Sequence, residues 1–157
     1  MTVRASAGNR AAGLALAVAV VAWAAGLALA PYVARLSRVA GGLLYAVGSL
    51  ICHQQPERSF YLAGAQLPVC ARCEGLYLGA AAGVLVWTLV GRRRQQAWPR
   101  PRALMLLTAA ALPTALTVAA AMAGVGDPPN AWRFAFAMPL GLAGGLVVGA
   151  VVSEHLK

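Results

Sequence analysis

The chain has 157 residues, 61% of them apolar, with 13 Lys+Arg against 4 Asp+Glu, a net charge of +9 and a mean hydropathy of +0.71. Soluble domains are roughly half apolar and a quarter charged, so a chain with 11% charged residues is excluded from that class, and from disordered and collagenous ones. The arginines punctuate apolar runs instead of lining one face, which argues against nucleic acid and leaves the lipid bilayer as the expected partner.

The first apolar run, Ala11 to Ala30, is 20 residues without a charge and spans about 30 Å as a helix, enough to cross a bilayer. A signal peptide is the competing reading, since Arg4 and Arg10 precede the run and Ala28-Leu29-Ala30 has a small-x-small form; the run's length favours a retained helix. The second run, Val39 to Ile51, is shorter and carries Gly41, Gly42 and Gly48, so it either crosses obliquely or re-enters on its own side. From Cys52 to Glu74 the chain turns polar and irregular. This stretch holds all three Cys, one of the two His and two of the four acids.

A third run begins near Gly75 and continues through Trp87 to Gly91, a fourth covers Ala103 to Val125, and a fifth follows Arg133 to about Val152. The prolines of Gly126-Asp127-Pro128-Pro129-Asn130 break the helix between the last two. Pro113 and Pro139 lie inside runs four and five as kinks that membrane helices tolerate. Trp23, Trp87, Trp98 and Trp132 read as helix-end belt or packing residues. The expectation is an all-α integral membrane bundle of four or five transmembrane helices, one short or re-entrant, forming a single membrane domain over 1–157.

Topology follows from charge. Arg92, Arg93, Arg94, Arg100 and Arg102 mark the 92–102 connection as cytoplasmic by the positive-inside bias of a multi-pass cell-membrane protein (inner or plasma membrane). Segment 52–74 and turn 126–133 then share the external face and become expected neighbours. Arg4 and Arg10 favour a cytoplasmic N-terminus with a re-entrant second segment, Arg35 and Arg38 the opposite, and the choice stays open.

The residues that carry chemistry are Cys52-His53-Gln54, Pro56-Glu57-Arg58-Ser59 and Cys70-Ala71-Arg72-Cys73-Glu74-Gly75, with Asn130 and Arg133 in the later turn. This pattern resembles a family of uncharacterised bacterial and archaeal membrane proteins, grouped as a domain of unknown function by a Cys-His-Gln, Arg-Ser and Cys-x-Arg-Cys-x-Gly core. The likeness covers about residues 45–145, and Asn130-x-x-Arg133 is similar to its second motif. Two positions depart from the family pattern: Glu74 stands where a Thr is usual, and Thr117 where the fourth helix usually has an Asp. The resemblance implies a membrane protein and supplies no reaction.

Three readings of the residues remain. Cys52, His53, Cys70 and Cys73 match a Cys₃His metal set in number and type, for zinc or for copper as Cu(I), though adjacent Cys52 and His53 can both ligate only if the helix ends between them. Alternatively Cys70 and Cys73, at a helix N-terminus beside Arg72, form the active pair of a membrane thiol-disulfide oxidoreductase with Cys52 as the exchanging thiol. Glu74 after Cys73, where a His would be needed, excludes c-type haem attachment. The third reading is non-enzymatic: the cysteines are small buried hydrophobes and His53 an interfacial histidine. Arg58 and Arg72 are placed to offset the charge of a thiolate metal centre; alternatively Arg58, Arg72, Asn130 and Arg133, with His53, form an external anion site for a lipid phosphate, or each Arg is an anchor at the interface. Glu57 is expected to pair with Arg58 or a neighbour, and Asp127 to cap or solvate its turn.

Overall fold

In a computed structural model of the chain, residues 3–90 and 99–155 are described, with side chains from 11 to 152. Arg92, Arg93, Arg94 and Trp98 therefore lie outside the described residues. The elements in order are α1 (Val3–Ala28), α2 (Ala30–Leu36), α3 (Arg38–Ile51), a 3-10 turn (Pro56–Arg58), β1 (Ser59–Leu62), β2 (Ala65–Cys70), α4 (Ala71–Leu89), α5 (Arg100–Met122) and α6 (Asn130–His155). The apolar runs become helices, as backbone polar groups in hydrocarbon must be satisfied within the segment. Three of them, in α1, α5 and α6, are long and apolar enough to cross a membrane.

Small residues set the packing. On α4, Gly75, Gly79 and Gly83 each sit where a Cβ would strike α6 backbone, at the carbonyls of Phe134, Met138 and Leu142. Gly141 and Gly145 of α6 meet the Leu76 and Ala80 carbonyls in the same way, and Gly149 faces the Trp87 ring. The pairings advance together along both chains, so α4 and α6 run parallel with their backbones in contact, the geometry that small-xxx-small patterns permit in lipid. Thr114 fastens α5 to this pair by donating its hydroxyl to the Phe136 carbonyl at 2.8 Å. No residue of α5 is buried, and its exposed Leu104, Met105, Leu112 and Leu116 suit a hydrocarbon surrounding.

α1 runs against α4. Its C-terminal end carries Trp23, edge-on to Tyr77 of α4 at 6.1 Å, and Leu27, buried with Cys52 and Val69. The chain then doubles back in α2 and α3, a short element that the sequence reading did not separate from its neighbours. Pro31 starts α2, Ser37 caps α3 by accepting from the Ala40 N–H at 3.2 Å, and Gly41 lets α3 lie against Ala34. Both α2 and α3 contact β2, so this helical hairpin stays at the end of the molecule where α1 stops and α4 begins.

The chain is all-α in class, as expected, with one local exception. Segment 52–74 is not irregular throughout but holds an antiparallel two-stranded hairpin, pairing Ser59 with Cys70, Tyr61 with Gln66 and Leu62 with Ala65. Its turn places Ala63 (φ 52°) and Gly64 (φ 82°) at positive φ, as a two-residue hairpin turn requires. Arg35 donates to the Ala63 carbonyl at 2.9 Å and Tyr45 to the Gln66 carbonyl at 2.6 Å, tying the hairpin to α2 and α3.

Candidate thiol centre

Three chain features bring the cysteines together. α3 ends at Ile51, and Cys52 is its C-cap in extended conformation (φ −146°, ψ 140°), its own N–H still bonded to the Gly48 carbonyl at 2.9 Å. β2 ends at Cys70, which is also the N-cap of α4, and Cys73 follows in the first turn of that helix. The Cys70 N–H donates to the Cys52 sulfur at 3.2 Å. The three Sγ atoms lie within 4.8 Å of one another, and all three thiols are free.

His53 does not join them. Because the backbone is already extended at Cys52, successive side chains point to opposite sides, and the imidazole is exposed at the rim. Of the expected Cys₃His set, the structure gathers Cys52, Cys70 and Cys73 and leaves His53 outside the sulfur cluster while still bordering the adjoining cavity.

Glutamine amides hold the loop in place. Gln54, at positive φ (49°), donates from Nε2 to the Tyr45 carbonyl at 3.0 Å and to the Pro68 carbonyl at 2.7 Å, joining the end of α3 to β2. Gln66 donates to the Gln54 carbonyl at 2.7 Å and to the Ser59 hydroxyl at 3.1 Å, and Ser59 donates to the Gln55 carbonyl at 2.9 Å. Gly48 allows this because a Cβ there would strike the Pro68 carbonyl. Neither Gln54 nor Gln66 drew notice as a positioning residue from sequence, although Gln54 is the third member of the Cys-His-Gln string.

The second polar segment lies against the first, the two being the expected neighbours. Asn130, at the start of α6, donates to the carbonyls of Glu57 (3.2 Å) and Ser59 (3.1 Å). Asp127 does more than cap its turn: Arg133 grips both of its oxygens, through Nε at 3.1 Å and through Nη2. Arg58 reaches Oδ2 at 3.1 Å and Arg72 stands 3.9 Å from Oδ1. Among the described residues Arg58 thus pairs with Asp127 and not with Glu57, through one contact to the carboxylate that the α5–α6 turn supplies, while the bidentate grip belongs to Arg133. Arg133, 6% exposed, is further held through Nη1 by the Asn130 side-chain oxygen at 3.2 Å. Desolvation acts to raise the Asp127 pKa, but the hydrogen bond and charge of Arg133, with the charges of Arg58 and Arg72, hold it below the ordinary carboxylate value.

A cavity of about 370 Å³ opens between the two halves of the site, lined among others by the three cysteines, Arg58, Arg72 and Arg133. Since α4 and α6 are parallel and both begin here, the positive ends of two helix dipoles add to the three guanidiniums. A hydrogen bond from the Cys73 thiol, against the effect of burial, and further donors from the Cys73 and Arg72 backbones bring the Cys70 pKa down to about 5. Such a cluster can bind a thiophilic metal ion or exchange disulfides. Glu74, next to Cys73, is 3% exposed, and neither of its carboxyl oxygens has a hydrogen-bond partner among the described residues. Thr117, the other departure from the family pattern, bonds back to the Thr114 carbonyl of its own helix at 2.8 Å.

The chain belongs to the DUF2085 family of predicted membrane proteins, whose pattern matches residues 52–147, from the first cysteine to the middle of α6. An uncharacterized protein of Methanocaldococcus jannaschii is 35% identical over 112 residues, covering 68% of this chain and 70% of its own. An uncharacterized protein of Methanothermobacter thermautotrophicus is 34% identical over 106 residues, covering 68% of this chain and 89% of its own. No solved structure matches the chain.

Proposed function

We propose that this protein is a metal-binding membrane protein that holds one thiophilic ion, zinc or Cu(I), through Cys52, Cys70 and Cys73 at its external face. The convergence of three thiols from the end of α3, the end of β2 and the first turn of α4 carries the reading. Sulfurs bonded to one ion at about 2.3 Å stand roughly 4 Å apart, so a separation within 4.8 Å closes by small side-chain rotations. A three-thiolate centre with a divalent ion has net charge −1, which Arg58, Arg72 and Arg133 offset where water is scarce. A fourth position would face the cavity, within reach of solvent or a delivered ligand, as sites that exchange their ion require.

In the same reading the whole chain is one membrane domain with four crossings: α1, α4, α5 and α6. The α2–α3 hairpin and the strands lie on the external side, and both termini are cytoplasmic with the arginine-rich 92–102 connection. The antiparallel contact of α1 with α4 supports the re-entrant alternative for the second segment, because α1 ends and α4 begins at the thiol centre.

The test is elemental analysis of protein purified in mild detergent without chelator. About one zinc or copper per chain is expected in the native protein and in His53→Ala, falling to near zero in Cys52→Ser, Cys70→Ser and Cys73→Ser. A well-folded native protein free of metal would refute the reading. The second reading, thiol-disulfide exchange, is favoured by the placement of Cys70 at the α4 N-cap, where the helix end stabilises a thiolate. It predicts instead that Cys73→Ser traps a mixed disulfide on Cys70 and that metal content is unaffected by any of the three substitutions.

A further inference from the structure

The wall of the cavity combines two chemistries, sulfur from Cys52, Cys70 and Cys73 and guanidinium from Arg58, Arg72 and Arg133. Among the described residues one carboxylate, Asp127, serves the three cations, and Arg133 takes both of its oxygens. Arg58 keeps one 3.1 Å contact, and Arg72 only a long one at 3.9 Å. The Nε and Nη2 of Arg72 are closed off from solvent and have no hydrogen-bond acceptor among the described residues, a state that buried N–H groups rarely tolerate because it forfeits their hydration. An acceptor is missing beside Arg72, at a place where two helix N-termini also favour negative charge. The space is of the size that small-molecule sites use, about 300 Å³ upward.

We propose that this cavity is a subsite for a small oxyanion, a carboxylate or phosphate group, gripped by Arg72 and Arg58 so that the rest of the ligand lies against the three thiols. Arg133 and Asp127 are positioning residues: their bidentate pair fixes the α5–α6 turn and leaves the other two guanidiniums short of acceptors. A ligand of this class carries its charge to the arginines and its reactive or metal-bearing end to sulfur. The proposal deepens the reading of the thiol centre, but it needs only that thiols and arginines share the cavity, and a bound metal is not required.

The experiment uses reduced, metal-free protein in a neutral maltoside detergent and compares alkylation by iodoacetate, an anion, with alkylation by iodoacetamide, its uncharged counterpart. In both, a cysteine sulfur forms the S–C bond as the C–I bond breaks and iodide leaves with its electron pair, so only the charge of the reagent differs. The ratio of the two rates should exceed that of free cysteine by roughly tenfold, the effect of one charge-assisted hydrogen bond. Arg58→Gln with Arg72→Gln should return the ratio to the free-cysteine value, while Arg72→Lys keeps part of it. The iodoacetamide rate in each variant reports whether the thiols are still presented normally, which separates loss of the subsite from loss of the fold. Suppression of the excess by inorganic phosphate identifies a soluble anion as ligand, and suppression only by phosphatidylglycerol vesicles identifies a lipid headgroup. A native ratio no higher than that of free cysteine, or one unchanged in the double variant, overturns the proposal. Metal found without the excess ratio would refute the subsite alone, and the excess ratio without metal would refute the metal reading alone.

Discussion

The α4–α6 contact and the polar cap at its end are neighbours held together by opposite means. Between the helices, cohesion depends on what is absent: glycines at 75, 79, 83, 141 and 145 let the backbones touch, so close packing takes the place of the hydrophobic drive that lipid removes. In the cap, cohesion depends on what is present, with Gln54, Gln66, Asn130 and Arg133 each reaching a carbonyl or carboxylate of another segment or of the same turn. The difference teaches where the molecule tolerates change. Added bulk should break the first region, and removed polarity the second.

The largest effect is expected from Gly79→Leu. Its side chain has no room against the Met138 carbonyl and the Gly141 Cα, so about 2–3 kcal/mol should be lost, or the fold itself, as read by thermal unfolding in detergent. Full stability in that variant would end the claim that the contact is backbone to backbone. Asp127→Asn should come next, costing about 1–2 kcal/mol after allowance for its partial exposure, because it leaves three arginines facing one another without a carboxylate. The same residue sets an acid limit. Since its folded pKa is depressed, its stabilisation is complete above the unfolded value of about 4 and drains away as pH falls through the lower folded value. A melting-temperature profile should therefore drop below about pH 4 in the native protein and be flatter there in Asp127→Asn.

Asn130→Ala should cost about 1 kcal/mol for the two bonds to the Glu57 and Ser59 carbonyls, and should raise amide exchange in β1. At the small end lies Gly144→Ala, where a Cβ meets nothing within 4 Å; a change within about 0.5 kcal/mol is expected. A large loss there would mean that α6 packs on its opposite face as well.

Much of this was legible in the chain. Runs of bilayer length became α1, α5 and α6, and the polar runs on either side of the third and fourth segments met. His53 lies outside the sulfur cluster because α3 ends at Ile51, before both Cys52 and His53, and the extended backbone at Cys52 sends consecutive side chains to opposite sides. The β-hairpin was hidden because its strands are four and six residues long and one contains Pro68, too little for alternation to stand out. Asp127 was undervalued although a signal existed: it is the only acid between positions 75 and 153, on a turn already assigned to the face that carries Arg58 and Arg72. Its partner Arg133 is six residues away, but the other two, Arg58 and Arg72, are more than 50 residues away in the chain, beyond the reach of any local pattern.

Parallel neighbours also impose an order on assembly. α4 ends at Leu89 and α6 does not begin until Asn130, so during synthesis the glycine-lined face of α4 is made well before the α6 face it packs on, α5 comes between them, and only then can the two faces close. Until residue 127 emerges, Arg58 and Arg72 have no carboxylate and the cysteine loop has no strap. The last helix to be made thus acts as the latch of the site whose sulfurs were all laid down before it.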